Sequence, residues 1–190
     1  LHKIGNFLFK KRGIVIFLIV IILFFFSNPS VKSILFSIPF IILGETIRIY
    51  SLRYSGGFTR SRELNAPSIV KEGPYSITRN PLYLGNLMNL FGVLLAMWLP
   101  LIIFILSFSI IFTIYFLIII SEERFLEEKF GDEYREYKRS VPRVLIKPFR
   151  FIKTKPVNKY SRVFRIERDT IISILLFYIV IIIILWKKGF

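Results

Sequence analysis

The sequence predicts an all-α protein: a polytopic helical membrane protein with about five transmembrane helices and a cytoplasmic helical segment after the fourth. Three observations carry this. The 190 residues are 54% hydrophobic and 17% aromatic, with a mean hydropathy of +0.62, whereas soluble domains are usually about 45–50% apolar. The apolar residues arrive in blocks, as membrane spans do, rather than in alternation. The basic residues collect between the blocks in a one-sided pattern. One membrane domain over residues 1–190 accounts for all three.

The blocks fall at about 13–27, 32–53, 81–99, 101–120 and 170–186. The first has an apolar core, "IVIFLIVIILFFF", that covers about 20 Å of a hydrocarbon layer about 30 Å thick. Lys10, Lys11 and Arg12 snorkel to make up the difference. A basic start and a short apolar run also suit a signal peptide, but "SNPSVKS" offers no small-residue cleavage site, so a retained anchor is expected. The second block contains Glu45 and Arg48, about 12 and 8 Å from its cytoplasmic end. Ionisable groups at that depth mark function unless they pair with each other along the helix. The third and fourth blocks are joined by "WLPL", which permits only a tight antiparallel turn. The block at 170–186 is expected only to anchor.

The chain holds 27 Lys and Arg against 12 Asp and Glu, a net charge of +15. In a soluble protein that balance would point to nucleic acid. Here it reads as topology and attraction to anionic lipid, with no nucleic acid as partner. Four basic residues precede the first block, four lie in 54–80 and fourteen in 121–169, against one in 28–32 and none at Pro100. An N-terminus in the cytoplasm puts the heavily basic segments on one side, with Lys187 and Lys188 as the exceptions. The expected setting is a plasma membrane or a prokaryotic-type inner membrane. The basic loop "SGGFTRSREL" then becomes a candidate gate on the cytoplasmic face, and 141–165 a segment lying on headgroups.

Composition also excludes chemistry. The chain has no cysteine, hence no disulfide framework, thiolate metal site or thiol nucleophile. Its one histidine, His2, leaves no imidazole catalyst and no histidine-rich metal site, so no metal is expected.

The hairpin of the third and fourth blocks brings two polar stretches to one face: "KEGPYSITRNPLYLGN" (71–86) and "SEERFLEEKFGDEY" (121–134). In the first, Asn80-Pro81 reads as a helix start with Asn as N-cap and Pro at the first helical position. That does not explain Tyr83, Asn86 and Asn89, spaced along one face beside Gly85 and Gly92. Such a stripe either glues helices or lines a pocket. In the second, Glu122 and Glu123 oppose the macrodipole if the helix ends there. They are ordinary if it runs on through Lys129 as a solvated stalk to a break near Gly131. Two acids at the membrane exit would receive a cation, and the open N–H groups at the start of the third span an anion. A zwitterion would fit between them.

The pattern Gly73, Pro74, Tyr75, Arg79, Asn80, Pro81, Tyr83, Gly85, then Glu122, Glu123, Leu126, Phe130, Gly131, Tyr134, Tyr137, Val141 and Pro142 resembles the isoprenylcysteine carboxyl methyltransferase and phospholipid methyltransferase superfamily of integral membrane methyltransferases. The resemblance covers roughly 70–145. It implies a membrane enzyme that binds S-adenosylmethionine at its cytosolic face and takes a lipid or lipidated acceptor from the bilayer. The implied cofactor-binding residues are Gly73, Pro74, Tyr75, Arg79, Asn80, Tyr83, Gly85, Asn86, Glu122 and Glu123. Glu122 and Arg143 are the expected catalytic residues, Arg143 facing an anionic acceptor. The family's usual histidine is replaced by Asn80, which cannot titrate, so no proton shuttle is assigned there.

The expected reaction is in-line methyl transfer, with the protein aligning the reactants and excluding water. A carboxylate acceptor is already ionised at neutral pH. An amine acceptor must first lose a proton, to Glu122, Glu123, Tyr83 or water. The sequence therefore leans toward a carboxylate. The alternatives are phospholipid amine methylation or a non-catalytic lipid-binding protein.

Overall fold

The structure, a computed structural model, describes residues 2–55, 66–144, 152 and 154–187. Arg60 and Arg62 of the expected gate, and most of 145–153, lie outside the described residues. The described residues form six α-helices and one short 3-10 turn and leave no part in a sheet. They are α1 (His2–Phe24), α2 (Val31–Ser55), α3 (Pro81–Met97), α4 (Leu101–Phe130), α5 (Asp132–Ser140) and α6 (Tyr160–Lys187). The 3-10 turn is Gly73–Ser76.

The protein is an all-α, multi-spanning membrane protein. α2, α4 and α6 are each long and apolar enough to cross a bilayer, and α3 is a shorter apolar helix of 17 residues. Their outer faces carry large exposed apolar side chains, such as Leu106 and Ile110 on α4 and Leu175, Ile179 and Ile183 on α6. A soluble protein would not leave so much apolar surface in water.

α1 begins at His2, well before its apolar run, and its 23 residues reach about 35 Å. Lys10, Lys11 and Arg12 are thus inside the helix rather than at its mouth. Gly5 rests on α4, where an added Cβ would lie 2.8 Å from Ser121 Cβ and 2.9 Å from the Leu117 carbonyl oxygen. At its other end the chain turns, and the Asn28 N–H donates to the Met97 carbonyl at 2.9 Å. α1 therefore runs antiparallel to α4. Ser30 and Ser33 then cap α2 reciprocally: Ser33 N–H donates to Ser30 Oγ at 3.1 Å and Ser30 N–H to Ser33 Oγ at 2.9 Å.

α2 and α3 pack backbone to backbone. A Cβ on Gly85 would stand 2.5 Å from Arg48 Cγ and 2.8 Å from the Gly44 carbonyl, and one on Gly92 2.8 Å from Ile41. Small residues permit that approach where lipid offers no hydrophobic drive between helices. α3 ends at Trp98 in the left-handed region, φ 50°, and Pro100 starts α4 after the tight turn the sequence anticipates.

α4 runs ten residues past its expected membrane exit to Phe130, as the stalk reading requires. Gly131, with φ +56°, breaks it, and α5 turns back so that Tyr134 and Tyr137 pack on Ile69, Leu126 and Phe130. α6 starts at Tyr160, ten residues before the expected 170, so part of the segment assigned to headgroups is helical. The helix is tied to α2 from just before its start to its second half. Asn158 Nδ2 donates to the Leu52 carbonyl at 2.7 Å, and Ser37 Oγ lies 2.7 Å from Tyr178 OH.

Gly85→Ala is expected to lower the melting temperature in detergent, since overpacking costs about 1–3 kcal/mol. Gly13→Ala, whose Cβ meets nothing within 4 Å, is expected to hold or raise it. Equal melting temperatures for both variants would mean that the α2–α3 contact does not set stability.

Candidate active site

Four segments converge where α4 leaves the bundle: the "GPYSITRNP" stretch, the first turn of α3, α4 around residue 122, and α5. Gly73 has φ +58°, and a Cβ there would lie 2.6 Å from the Tyr54 ring, so only glycine admits this turn. Pro74 is buried, and its carbonyl accepts from the Ile77 and Thr78 N–H groups at 3.2 Å. Tyr137 OH donates to the Tyr75 carbonyl at 2.6 Å, binding α5 to the same turn. Burial pushes the phenols of Tyr75, Tyr134 and Tyr137 above their ordinary value, so all three stay protonated at neutral pH.

Glu122 and Glu123 are adjacent, hence about 100° apart around the helix, and they face different surroundings. Glu123 is 3% exposed. Its Oε1 accepts from Arg79 Nε and Asn80 Nδ2, both at 3.0 Å. Its Oε2 accepts from Arg79 Nη2 at 3.2 Å and Arg143 Nε at 2.9 Å. Arg79 also donates through Nη1 to the carbonyls of Lys138 at 2.8 Å and Val141 at 2.6 Å. Asn80 Nδ2 reaches the Arg143 carbonyl at 3.0 Å. One carboxylate thus knots α4 to the start of α3 and to the chain after α5.

This changes three expectations. Asn80 occupies the N-cap position but its side chain makes no cap hydrogen bond, because it is committed to Glu123. Arg143, expected at an anionic acceptor, pairs with Glu123 and lies over the Phe116 ring at 5.4 Å. Gly85 serves the α2–α3 contact.

Glu122 faces a cavity of about 900 Å³. Of the residues singled out from sequence, Tyr75, Arg79, Asn80, Tyr83, Asn86 and Glu122 line it, whereas Gly73, Pro74, Gly85, Glu123 and Arg143 do not. Tyr83 and Glu122 are neighbours in this wall. Glu122 Oε2 is buried without a hydrogen-bond partner among the described residues. The stripe on α3 therefore serves both purposes: Tyr83 and Asn86 reach the cavity, while Asn89 Nδ2 donates to Glu45 Oε1 at 2.6 Å and joins α3 to α2.

The cavity also has walls outside the two polar stretches, and one of them includes Arg48, which the sequence marked as functional or paired with Glu45. Arg48 of α2 lies 3.5 Å from Glu45, hydrogen-bonds to Asn86, and donates to both oxygens of Glu167 at 2.8 and 2.9 Å. Glu167 is fully buried. With Thr170 and Ser173 it makes α6 part of the wall, so this helix does more than anchor. The signal available was charge: an arginine deep in a span needs acids, and Glu167 is an acid at the start of an apolar block. Lys10, Lys11 and Arg12 of α1 border the cavity as well.

A family model for phospholipid methyltransferases matches residues 32–133, a little over half of the chain. The chain belongs to that family. This phospholipid methyltransferase family member is a membrane methyltransferase that uses S-adenosylmethionine and acts on a lipid-associated substrate. No curated protein and no solved structure shows significant similarity to it.

The residues fit the cofactor. It carries a sulfonium cation and an amino-acid zwitterion. The cavity wall holds the carboxylate of Glu122, with one buried oxygen unpartnered, and the aromatic side chains of Tyr75, Tyr83 and Tyr115; aromatic rings attract cations. Its volume is at the upper end of the usual range of about 300–1,000 Å³ for ligand pockets, enough for a cofactor and a headgroup together.

Removing Glu123 leaves Arg79 and Arg143 facing each other, and loss of one partner of a buried pair costs about 3–5 kcal/mol. Glu123→Ala should therefore lower the melting temperature sharply. Glu122→Gln should not lower it but should reduce methyl transfer by about a hundredfold or more. Equal melting losses in the two variants would make both acids structural.

Proposed function

We propose that the protein transfers a methyl group from S-adenosylmethionine to the headgroup amine of a phospholipid. The observation that carries this reading is Glu122, a carboxylate in the cavity wall with one buried oxygen unpartnered. The sequence leaned toward a carboxylate acceptor because an amine needs a proton acceptor and no histidine was at hand. Glu122 removes that objection, and a second anion beside it would be repelled.

Glu122 accepts a proton from the ammonium of the headgroup, which frees the nitrogen lone pair. The neighbouring Tyr83 hydroxyl would donate to the same carboxylate and hold its orientation. S-adenosylmethionine, when bound, would supply an electrophilic methyl group, the nitrogen lone pair forming the N–CH3 bond while the S–CH3 electron pair would stay with the departing sulfur. Tyr75, Asn80 and Tyr83 would hold the cofactor against Glu122. Arg79 and Glu123 do not touch the reactants but fix the start of α3, on which Tyr83 is carried. The apolar outer faces of the helices keep the acceptor's tails in lipid while its headgroup enters.

Incubating membranes with methyl-labelled cofactor tests the acceptor. The label is expected in phospholipid and stable to mild base, as an N-methyl group is. Base-labile label would mean a methyl ester and return the carboxylate reading.

The same reading includes orientation: five crossings, the N-terminus in the cytoplasm, and the cavity facing it. The basic segments around α5 support it by their charge. A single cysteine replacing the exposed Glu136 should react with impermeant thiol reagent only when the cytoplasmic side is open. Reaction from outside intact cells would invert the topology.

A further inference from the structure

We propose that Lys10, Lys11 and Arg12 of α1 form a site for the phosphodiester of the acceptor lipid. The inference rests on the amine reading above and adds the group that selects a phospholipid over other amines.

A purely topological role would put these residues at a helix mouth. They are instead a third of the way along α1. Gly5 marks the level of Leu117 and Ser121 on α4, and Arg12 lies seven residues further, about 10 Å at 1.5 Å per residue. The end of α1 meets Met97 on the opposite side, so those 10 Å lead into the bundle rather than out of it. Charges at such depth are costly and commonly mark the path of a ligand.

Their surroundings suit an anion. All three border the cavity that holds Glu122 and Tyr83. Lys10 and Lys11 are exposed and have no acidic partner among the described residues. Arg12 is half-buried, its guanidinium 4.3 Å above the Phe9 ring and its Nη1 donating to the Phe9 carbonyl at 3.3 Å. Phe9 itself is in the core, so the arginine is steered by a fixed ring. Ammonium and guanidinium groups are the usual partners of phosphate.

The two charge signs then match one headgroup. A phosphatidylethanolamine-type lipid carries a cationic amine and an anionic phosphodiester on a short alkyl link. Glu122 meets the first and the basic turn of α1 meets the second. Fixing the phosphate limits where the amine can be, which is how remote binding aligns a reacting atom. α1 precedes the family match at 32–133, so this selection belongs to the chain's own N-terminal helix. The carboxylate of S-adenosylmethionine is an anion of related chemistry, and the test must separate the two.

The full-length protein in detergent would be titrated with a short-chain phosphatidylethanolamine and with an analogue whose phosphodiester is replaced by an ether. S-adenosylhomocysteine binding is measured in parallel. Lys10→Gln/Lys11→Gln is expected to weaken phosphatidylethanolamine binding roughly ten- to hundredfold, while the ether amine and S-adenosylhomocysteine bind as before. Lys10→Arg/Lys11→Arg, which keeps the charge, should restore lipid binding. Unchanged phosphatidylethanolamine binding, or an equal loss for both amines, overturns the proposal. A loss confined to S-adenosylhomocysteine assigns the turn to the cofactor's carboxylate and overturns it too. Because binding is read without catalysis, a wild type that binds through these lysines but never methylates the amine would refute the amine reading alone and leave the phosphate site standing.

Discussion

The Glu123 carboxylate holds the site together. It is almost fully buried and takes hydrogen bonds from Arg79, Asn80 and Arg143, so three segments cannot separate without exposing an unpaired charge. Breaking such a pair costs more than forming it returns, which makes the knot a constraint on geometry rather than a large source of stability. Its functional consequence is indirect. With Glu123 fixed, helical geometry turns Glu122 about 100° away, toward the cavity and Tyr83.

A second buried charge system closes the opposite wall. Arg48 meets Glu45, Glu167 and Asn86 at one point, joining α2, α3 and α6 where lipid-facing packing alone would not register them. Lipid tails are as apolar as the side chains they touch, so polar contacts and close backbone approach decide how these helices dock. The glycines at 44, 85 and 92 provide the approach, and the charges provide the register.

The two systems divide labour among the acids of the chain. Glu123 and Glu167 are neutralised by guanidinium groups and shape the cavity. Glu122 is left in the cavity wall with a buried oxygen unpartnered, which is why the proposed chemistry is placed on it. Solvated pairs on the stalk, such as Arg124 with Glu128 and Lys138 with Glu127, contribute little beyond solubility. The family match, 32–133, includes α2 to α4 but neither α1 nor α6, both of which border the cavity.

Much of this was legible from residue type and spacing. Apolar blocks gave the helical membrane class, because a backbone in lipid must satisfy its own hydrogen bonds. The four-residue turn at Pro100 gave the hairpin, and with it the meeting of Arg79 and Asn80 with Glu122 and Glu123. What the sequence by itself could not rank was those two glutamates, nor which side of α3 glues and which lines a pocket, because that depends on the rotation of each helix against its neighbours. It also could not place α1 and α6 in the site. Lys10 to Arg12 looked like a helix mouth until the helix was found to start at His2. Glu167, which falls between the segment read as lying on headgroups and the last apolar block, drew no reading until Arg48, 119 positions away in sequence, was found to pair with it. Helix starts and rotations are set by contacts across the bundle, and only the tertiary structure contains them.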